Sequence, residues 1–222
     1  MQIEIWSDIA CPWCYVGKRR FEAALARFGH ADETTVTWRS FELDPGAPAE
    51  RAGEGAAHLA EKYGMTLEEA RASQAGLAAT AAGEGIEMRF DIQRMGRTFD
   101  AHRLVHLGAA HGIQDAVKER MMRAYFTEGA LMSDHEALVA LAGEAGLDAD
   151  EARATLRSDR FADAVRADER DAARLGISAV PTFVADRTIG VSGAQPAEQL
   201  LAFLREAWSR RAAPASAGSA RG

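Results

Sequence analysis

Two cysteines stand in the order Cys11-Pro12-Trp13-Cys14, and they are the only cysteines among 222 residues. What surrounds them limits the fold. Residues 2 to 6 alternate apolar and polar side chains like a half-buried strand, while Phe21, Leu25 and Phe28 recur at i, i+4 and i+7, the spacing of one helix face. Cys11 therefore sits at a strand-to-helix turn, where unpaired amides and the helix dipole favour a thiolate. That placement predicts a Cys11 pKa below the value of about 8.5 for a free cysteine. Pro12 suits the first helical turn, since its missing N–H would have no partner there.

Three other uses compete with redox chemistry. A zinc knuckle needs about four ligands, and the chain has no second cysteine pair and only scattered histidines. Inert buried cysteines acting as small apolar residues are a second use. A purely structural disulfide would close a minimal loop and remove little chain entropy. Thiol–disulfide exchange is the reading the residues favour, with no metal: Cys11, nearer the helix start, attacks as thiolate, and Cys14, one turn further in, resolves the mixed disulfide.

A chain of this length, 47% hydrophobic, can bury a large core as one domain or as a small domain with an insertion. A net charge of −7 argues against nucleic acid as partner, because phosphate binding needs a clustered basic face. No run of about 18 apolar residues suggests a membrane span, and strand character from residue 3 argues against a signal peptide. The expected compartment is the cytoplasm, where disulfides are mostly transient and catalytic.

Residues 35 to 41 alternate again, so the first 44 residues read as strand, helix and parallel strand, a right-handed βαβ unit. Asp44-Pro45-Gly46-Ala47-Pro48 breaks the pattern. Alanine-rich helical sequence follows to residue 175, with at least five helices. Thr66 with Glu69, Ser133 with Glu136 and Asp148 with Glu151 mark helix starts. Gly83 to Gly85, Gly112, Gly129 and Gly143 to Gly146 mark stops. Ile86 to Phe90 reads as a short extended piece. Residues 180 to 184 and 188 to 191, separated by Asp186-Arg187, form a hairpin, and a last helix runs from Pro196 to Trp208. The expected fold class is α/β: a discontinuous βαβ…ββα core at 1–44 and 176–209, a large all-helical insertion at 45–175 that covers the dithiol face across a cleft, and a disordered tail at 210–222.

This order resembles the DsbA-like thioredoxin superfamily, in particular its cytosolic FrnE-like branch, related to 2-hydroxychromene-2-carboxylate isomerases and kappa-class glutathione transferases. The resemblance is carried by Trp6-Ser7-Asp8-Ile9-Ala10-Cys11-Pro12-Trp13-Cys14 with Gly17, by Gly176-Ile177-Ser178-Ala179-Val180-Pro181-Thr182-Phe183, by Ala101-His102-Arg103-Leu104, and by Val191-Ser192-Gly193-Ala194-Gln195-Pro196. Arg97 departs from the family's usual asparagine. The resemblance implies a thioredoxin-like core and a cis Val180–Pro181 bond facing the dithiol. Independently, a proline at a strand start cannot donate to the ladder and marks an edge or special turn.

Pro12, Trp13, Val180 and Pro181 are thus expected to support the site, with Tyr15, His102 and Arg103 as candidate substrate contacts. Trp13 and Tyr15 form an apolar rim or pack on the insertion. His102 and His106 share a helix face at metal-like spacing without a third ligand. Asp8 reads as a turn residue, and Met121, Met122 and Met132 as core. The implied activity is that of a protein disulfide oxidoreductase without a tightly bound cofactor, acting on a disulfide-bearing protein or small molecule as monomer or homodimer, with glutathione a candidate co-substrate. Two rivals stay open. One is a glutathione-dependent isomerase or transferase, in which serine typically stands at the Cys11 position. The other is a redox-sensing peptide-binding or chaperone module. Direction is open as well, since DsbA-like sites lie near −120 mV and cytosolic glutathione below roughly −220 mV.

Overall fold

The computed structural model describes residues 1–212; the expected tail from residue 213 onward lies outside the described residues. Strand β1 (Gln2–Ser7) leads through the cysteine turn into helix α1 (Pro12–Ala26), and β2 (Thr35–Ser40) returns parallel to β1, with Ile3 opposite Val36 and Ile5 opposite Trp38. At the far end of the chain, β3 (Thr182–Ala185) pairs antiparallel with β1 and with β4 (Ile189–Ser192), and α9 (Ala197–Ala212) closes the unit. The sheet order is β2-β1-β3-β4. β3 starts two residues later than the sequence suggests, because Pro181 has no N–H to give to the ladder. The last helix extends through Ala212, so residues 210 to 212 are helical rather than tail: Arg210 pairs with Glu206 at 2.6 Å and Arg211 lies 5.1 Å from the Trp208 ring.

Strand alternation sends Ile3, Ile5, Trp38 and Phe183 to one face, against α1 and α9. There Phe21 stacks on Phe183 with ring centroids 5.3 Å apart. Glu4, Trp6 and Val184 point to the other face. The hairpin turn carries positive φ at both central residues, Asp186 (44°) and Arg187 (55°), with Thr188 N–H donating to Ala185 O at 2.9 Å. This is the handedness that suits the twist of paired strands. Asparagine or glycine would normally take these positions. Arg187 is held instead by the buried Glu4 carboxylate, to which its Nε donates at 2.8 Å while Arg39 Nε donates from the neighbouring strand at 2.8 Å.

Between the halves lie seven helices, α2 (Gly55–Tyr63), α3 (Leu67–Gly83), α4 (Phe99–Ala110), α5 (Gln114–Thr127), α6 (His135–Glu144), α7 (Ala149–Leu156) and α8 (Ala162–Arg174). Thr66 and Glu69 form the reciprocal capping box, and Asp148 accepts from Glu151 N–H at 2.8 Å. At α6 the cap is Asp134, accepting from the Glu136 and Ala137 amides; the Ser133 hydroxyl is turned away to Ala49 O. Residues 86 to 90 are not a strand. Arg89 N–H donates to Phe126 O at 2.7 Å, and no strand runs alongside among the described residues.

α8 covers the second face of the sheet, where Trp6 Nε1 donates to Asp168 O at 3.0 Å and packs with Ala172 and Val184. α4 and α5 approach closely because Gly108 has no side chain; a Cβ there would meet Val117 Cγ2 at 2.8 Å. The core and the insertion do not have separate interiors. A single buried cluster runs from Ile3, Ile5, Phe183 and Leu204 to Leu104, Met121, Leu138 and Leu156. Met121, Met122 and Met132 lie fully inside it, as the sequence suggests. No helix among the described residues is long and apolar enough to cross a membrane.

Candidate active site

Cys11 is itself the N-cap of α1, in an extended conformation (φ −89°, ψ 111°), and its sulfur accepts the Cys14 N–H at 3.3 Å. The two cysteines approach to 3.1 Å and are free thiols. That separation exceeds the roughly 2.05 Å of a disulfide bond. The Cys11 thiol lies 3.7 Å from the carbonyl oxygen of Val180, whose bond to Pro181 is cis. Pro181 reaches this position because Gly17 leaves room: a Cβ on Gly17 would stand 2.8 Å from Pro181 Cγ.

Cys11 is only 4% exposed and Cys14 not at all. The dithiol is therefore covered, not set on the wall of an open cleft. This cover reverses one expectation. The hydrogen bond with the Cys14 sulfur and then burial push the Cys11 thiol well above the usual cysteine range, and the charges of Cys14 and Asp8 add to the effect; the Cys14 amide pulls the other way and is outweighed. The helix amides alone favour a thiolate; the Cys14 sulfur and then desolvation outweigh them.

Asp8 is a turn residue, as expected, but a deeply buried one. Its carboxylate accepts from Leu43 N–H at 2.8 Å and Ala10 N–H at 3.3 Å, and His102 Nε2 lies 3.3 Å away. Burial opposes the charge, yet the His102 and Leu43 hydrogen bonds leave Asp8 below the ordinary carboxylate range. His102 is itself pushed down, first by burial. Behind this pair, Lys118 Nζ donates to Ser7 O at 3.1 Å and stands 5.6 Å from the Trp38 ring centre; Lys18 stands 5.9 Å from the same ring centre.

The candidate substrate contacts part company. Trp13 is 45% exposed beside the sulfurs and is a free apolar surface. Tyr15 is buried, its hydroxyl donating to Glu119 Oε1 at 2.7 Å, so it pins α1 to α5 and forms no rim. His102 faces inward to Asp8. Arg103 is spent on the α7–α8 connection, where it donates to Thr155 O, Ser158 O and, at 3.0 Å, Arg160 O. Neither His102 nor Arg103 presents its side chain to solvent. The two helix-face histidines also diverge, His106 Nε2 lying 3.1 Å from Asp168 Oδ2 instead of joining His102.

Sequence reasoning missed Lys118. The signal was there: Lys118, Met121, Met122 and Tyr125 share one helical stripe, and a lysine within a buried apolar stripe has no solvent to reach.

A four-stranded mixed sheet with this crossover, carrying two cysteines at the start of its first helix and a cis-proline loop beside them, defines a thioredoxin-like protein. The chain belongs to the DSBA-like thioredoxin domain family, which matches residues 2–205. It is similar to a probable DsbA oxidoreductase from Streptomyces coelicolor, at 50% identity and a TM-score of 0.92 over 100% of this chain and 95% of the other. The same fold recurs at 18% identity in the cytosolic disulfide reductase DsbM from Pseudomonas aeruginosa, solved with GSH, with a TM-score of 0.66 over 94% of this chain and 100% of the other. A 2-hydroxychromene-2-carboxylate isomerase shares it at 17% identity, with a TM-score of 0.64 over 96% of both chains.

Proposed function

We propose that the protein is a thiol–disulfide oxidoreductase in which Cys11 attacks a substrate disulfide and Cys14 resolves the mixed disulfide. The observation that carries this reading is the pair itself: two free sulfurs in contact, the outer one capping a helix and facing the Val180 carbonyl. An attacking sulfur in this position receives the Cys14 N–H, which offsets part of the cost of its anion, and the second sulfur is close enough to displace the first from any adduct. Burial is among the leading causes that raise the Cys11 thiol, so a substrate that displaces the cover also favours the thiolate. The compartment in this reading is the cytosol, with glutathione as a co-substrate disulfide or thiol. The solved likeness of DsbM with GSH supports that choice.

The test is Cys14→Ala, purified without reductant and weighed intact. Mixed disulfides of Cys11 with glutathione or client proteins should accumulate and vanish with reductant. Unmodified protein with glutathione-dependent turnover preserved would overturn the reading in favour of the isomerase. Unchanged ligand affinity in both cysteine variants, without turnover, would favour a binding module.

A further inference from the structure

The sheet has two edges, and the chain closes only one of them. At the β2 edge the Gln114 side chain takes the place of a neighbouring strand: its Oε1 accepts from Trp38 N–H and its Nε2 donates to Trp38 O, both at 2.9 Å. The Asp168 carboxylate accepts from Ser40 N–H at 2.9 Å on the same side. Side chains placed in this way keep another chain from adding to an edge.

β4 carries no such cover. Gly193 N–H donates to Pro181 O at 2.7 Å, and the same register sets Val191 opposite Phe183 and Ile189 opposite Ala185. Antiparallel pairs alternate between bonded and non-bonded. Val191 and Ile189 therefore turn their backbone groups to β3, while Gly190 and Ser192 turn theirs outward. Ser192 O is taken by Gln195 Nε2 at 2.8 Å, and at the turn Thr188 N–H goes back to Ala185 O at 2.9 Å. Among the described residues this leaves Gly190 N–H, Gly190 O, Ser192 N–H and Thr188 O without partners. The strand, Ile-Gly-Val-Ser, holds neither the proline nor the charge that usually blunts an edge.

The free groups are complementary to themselves. A two-fold axis through Gly190, perpendicular to the sheet, sets Gly190 opposite Gly190 of a second copy and Ser192 opposite Thr188. Each Gly190 N–H then meets the other Gly190 O, and each Ser192 N–H meets the other Thr188 O. The groups left facing one another, Thr188 N–H and Ser192 O, are those already satisfied within the chain. Ile189 and Val191, half-buried in one copy, become cross-strand neighbours on the α9 face. Phe203, Glu206 and Arg210 of α9 line the hollow beside them. The same axis runs α9 antiparallel to its counterpart, which brings Arg210 of one protomer toward Glu206 of its partner, and the reverse.

We propose that the β4 edge is a homodimer surface, on which a second copy of this chain adds its own β4 antiparallel to make one continuous sheet across the two-fold. The pairing is independent of the thiol chemistry.

The test is sedimentation and amide exchange of the full wild-type chain between about 1 and about 200 µM, since mass action must populate the dimer. The mass should rise from one chain toward two. Over the same range the Gly190 and Ser192 amides should slow in exchange by at least about tenfold as they gain acceptors, while the Val191 amide stays protected throughout. Gly190→Pro removes the central donors and should weaken the dimer at least about tenfold. Arg210→Glu should weaken it as well, and Glu206→Arg together with Arg210→Glu should restore it by exchanging the signs. A wild type that stays monomeric would overturn the proposal. So would a dimer whose Gly190 and Ser192 amides exchange as fast as in the monomer, because the contact then lies elsewhere. Protection of these amides that ignores concentration would overturn it too, since the cover then comes from within one chain. These three readings need only the wild type and stand if a variant fails to fold. Folded Gly190→Pro and Arg210→Glu variants that both dimerise like wild type would count equally against it.

Discussion

Gly17 and Pro181 touch through a missing side chain: a Cβ on Gly17 would lie 2.8 Å from Pro181 Cγ, and 3.5 Å from Ala194 Cβ. A proline ring cannot rotate away, so Gly17→Ala must push the 180–181 loop off α1. We expect a loss of roughly 1–3 kcal/mol, the usual cost of overpacking, read as a lower Tm, and slower disulfide exchange because the Val180 carbonyl moves from Cys11. A variant as stable and active as wild type would show that the loop is not seated on α1.

Cys11 caps α1 with its sulfur, and serine is a strong N-cap residue. Cys11→Ser should therefore abolish disulfide exchange while keeping wild-type stability. Cys11→Ala should lose activity and about 1 kcal/mol as the cap disappears. Thermal unfolding of the two variants side by side separates the sulfur's structural part from its chemistry.

The raised Cys11 thiol has its own signature. Thiolate absorbance and iodoacetamide alkylation of the reduced protein should keep rising above pH 9, without a plateau at neutral pH. A titration finished below pH 7 would mean that the covered arrangement is not the reduced state in solution.

Glu4 is buried between Arg39 and Arg187. Burial opposes its charge, but the Arg187 and Arg39 hydrogen bonds hold its carboxyl below the usual value. A depressed carboxyl adds stability that is complete above the unfolded pKa of about 4.3 and is lost as pH falls through the lower folded value. Glu4→Gln should thus lower Tm at pH 7 and flatten the acid limb of the Tm–pH curve.

Glu42 has the opposite sign. Burial first, and then the charge of Glu169, raise it to about 7 despite Arg166. Its protonated form adds stability that is complete below about pH 4.3 and is lost as pH rises through about 7. Glu42→Gln should be more stable than wild type at pH 8 by on the order of 1 kcal/mol, a Tm gain of about 2–4 °C for a chain of this size, with the two converging near pH 4.

Local rules carried the reading of the sequence furthest. The alternation of β1 and β2, the Thr66–Glu69 capping box and the hairpin around Asp186-Arg187 each depend on residues within a few positions of one another. The cysteine turn was equally plain. What could not be read depends on partners far along the chain. Tyr15 reads equally as a rim residue or as packing on the insertion, and only Glu119, 104 residues away, decides for the second. Ser133 and Asp134 are both good caps, and only the approach of Ala49 decides between them. The Cys11 thiol was judged by its own helix, whereas its burial comes from the packing of the whole interior.

That packing governs how the molecule comes apart. Because Ile5, Phe183 and Leu204 belong to one continuous buried cluster with Leu104, Met121 and Leu156, the seven intervening helices are not a cap resting on a finished thioredoxin unit. Excising them would strip the wall from the sheet, and neither fragment would keep a dry interior. A denaturant or protease should meet one object with one melting event, and the slowest-exchanging amides of β1 and α5 should open together at the rate of the whole chain.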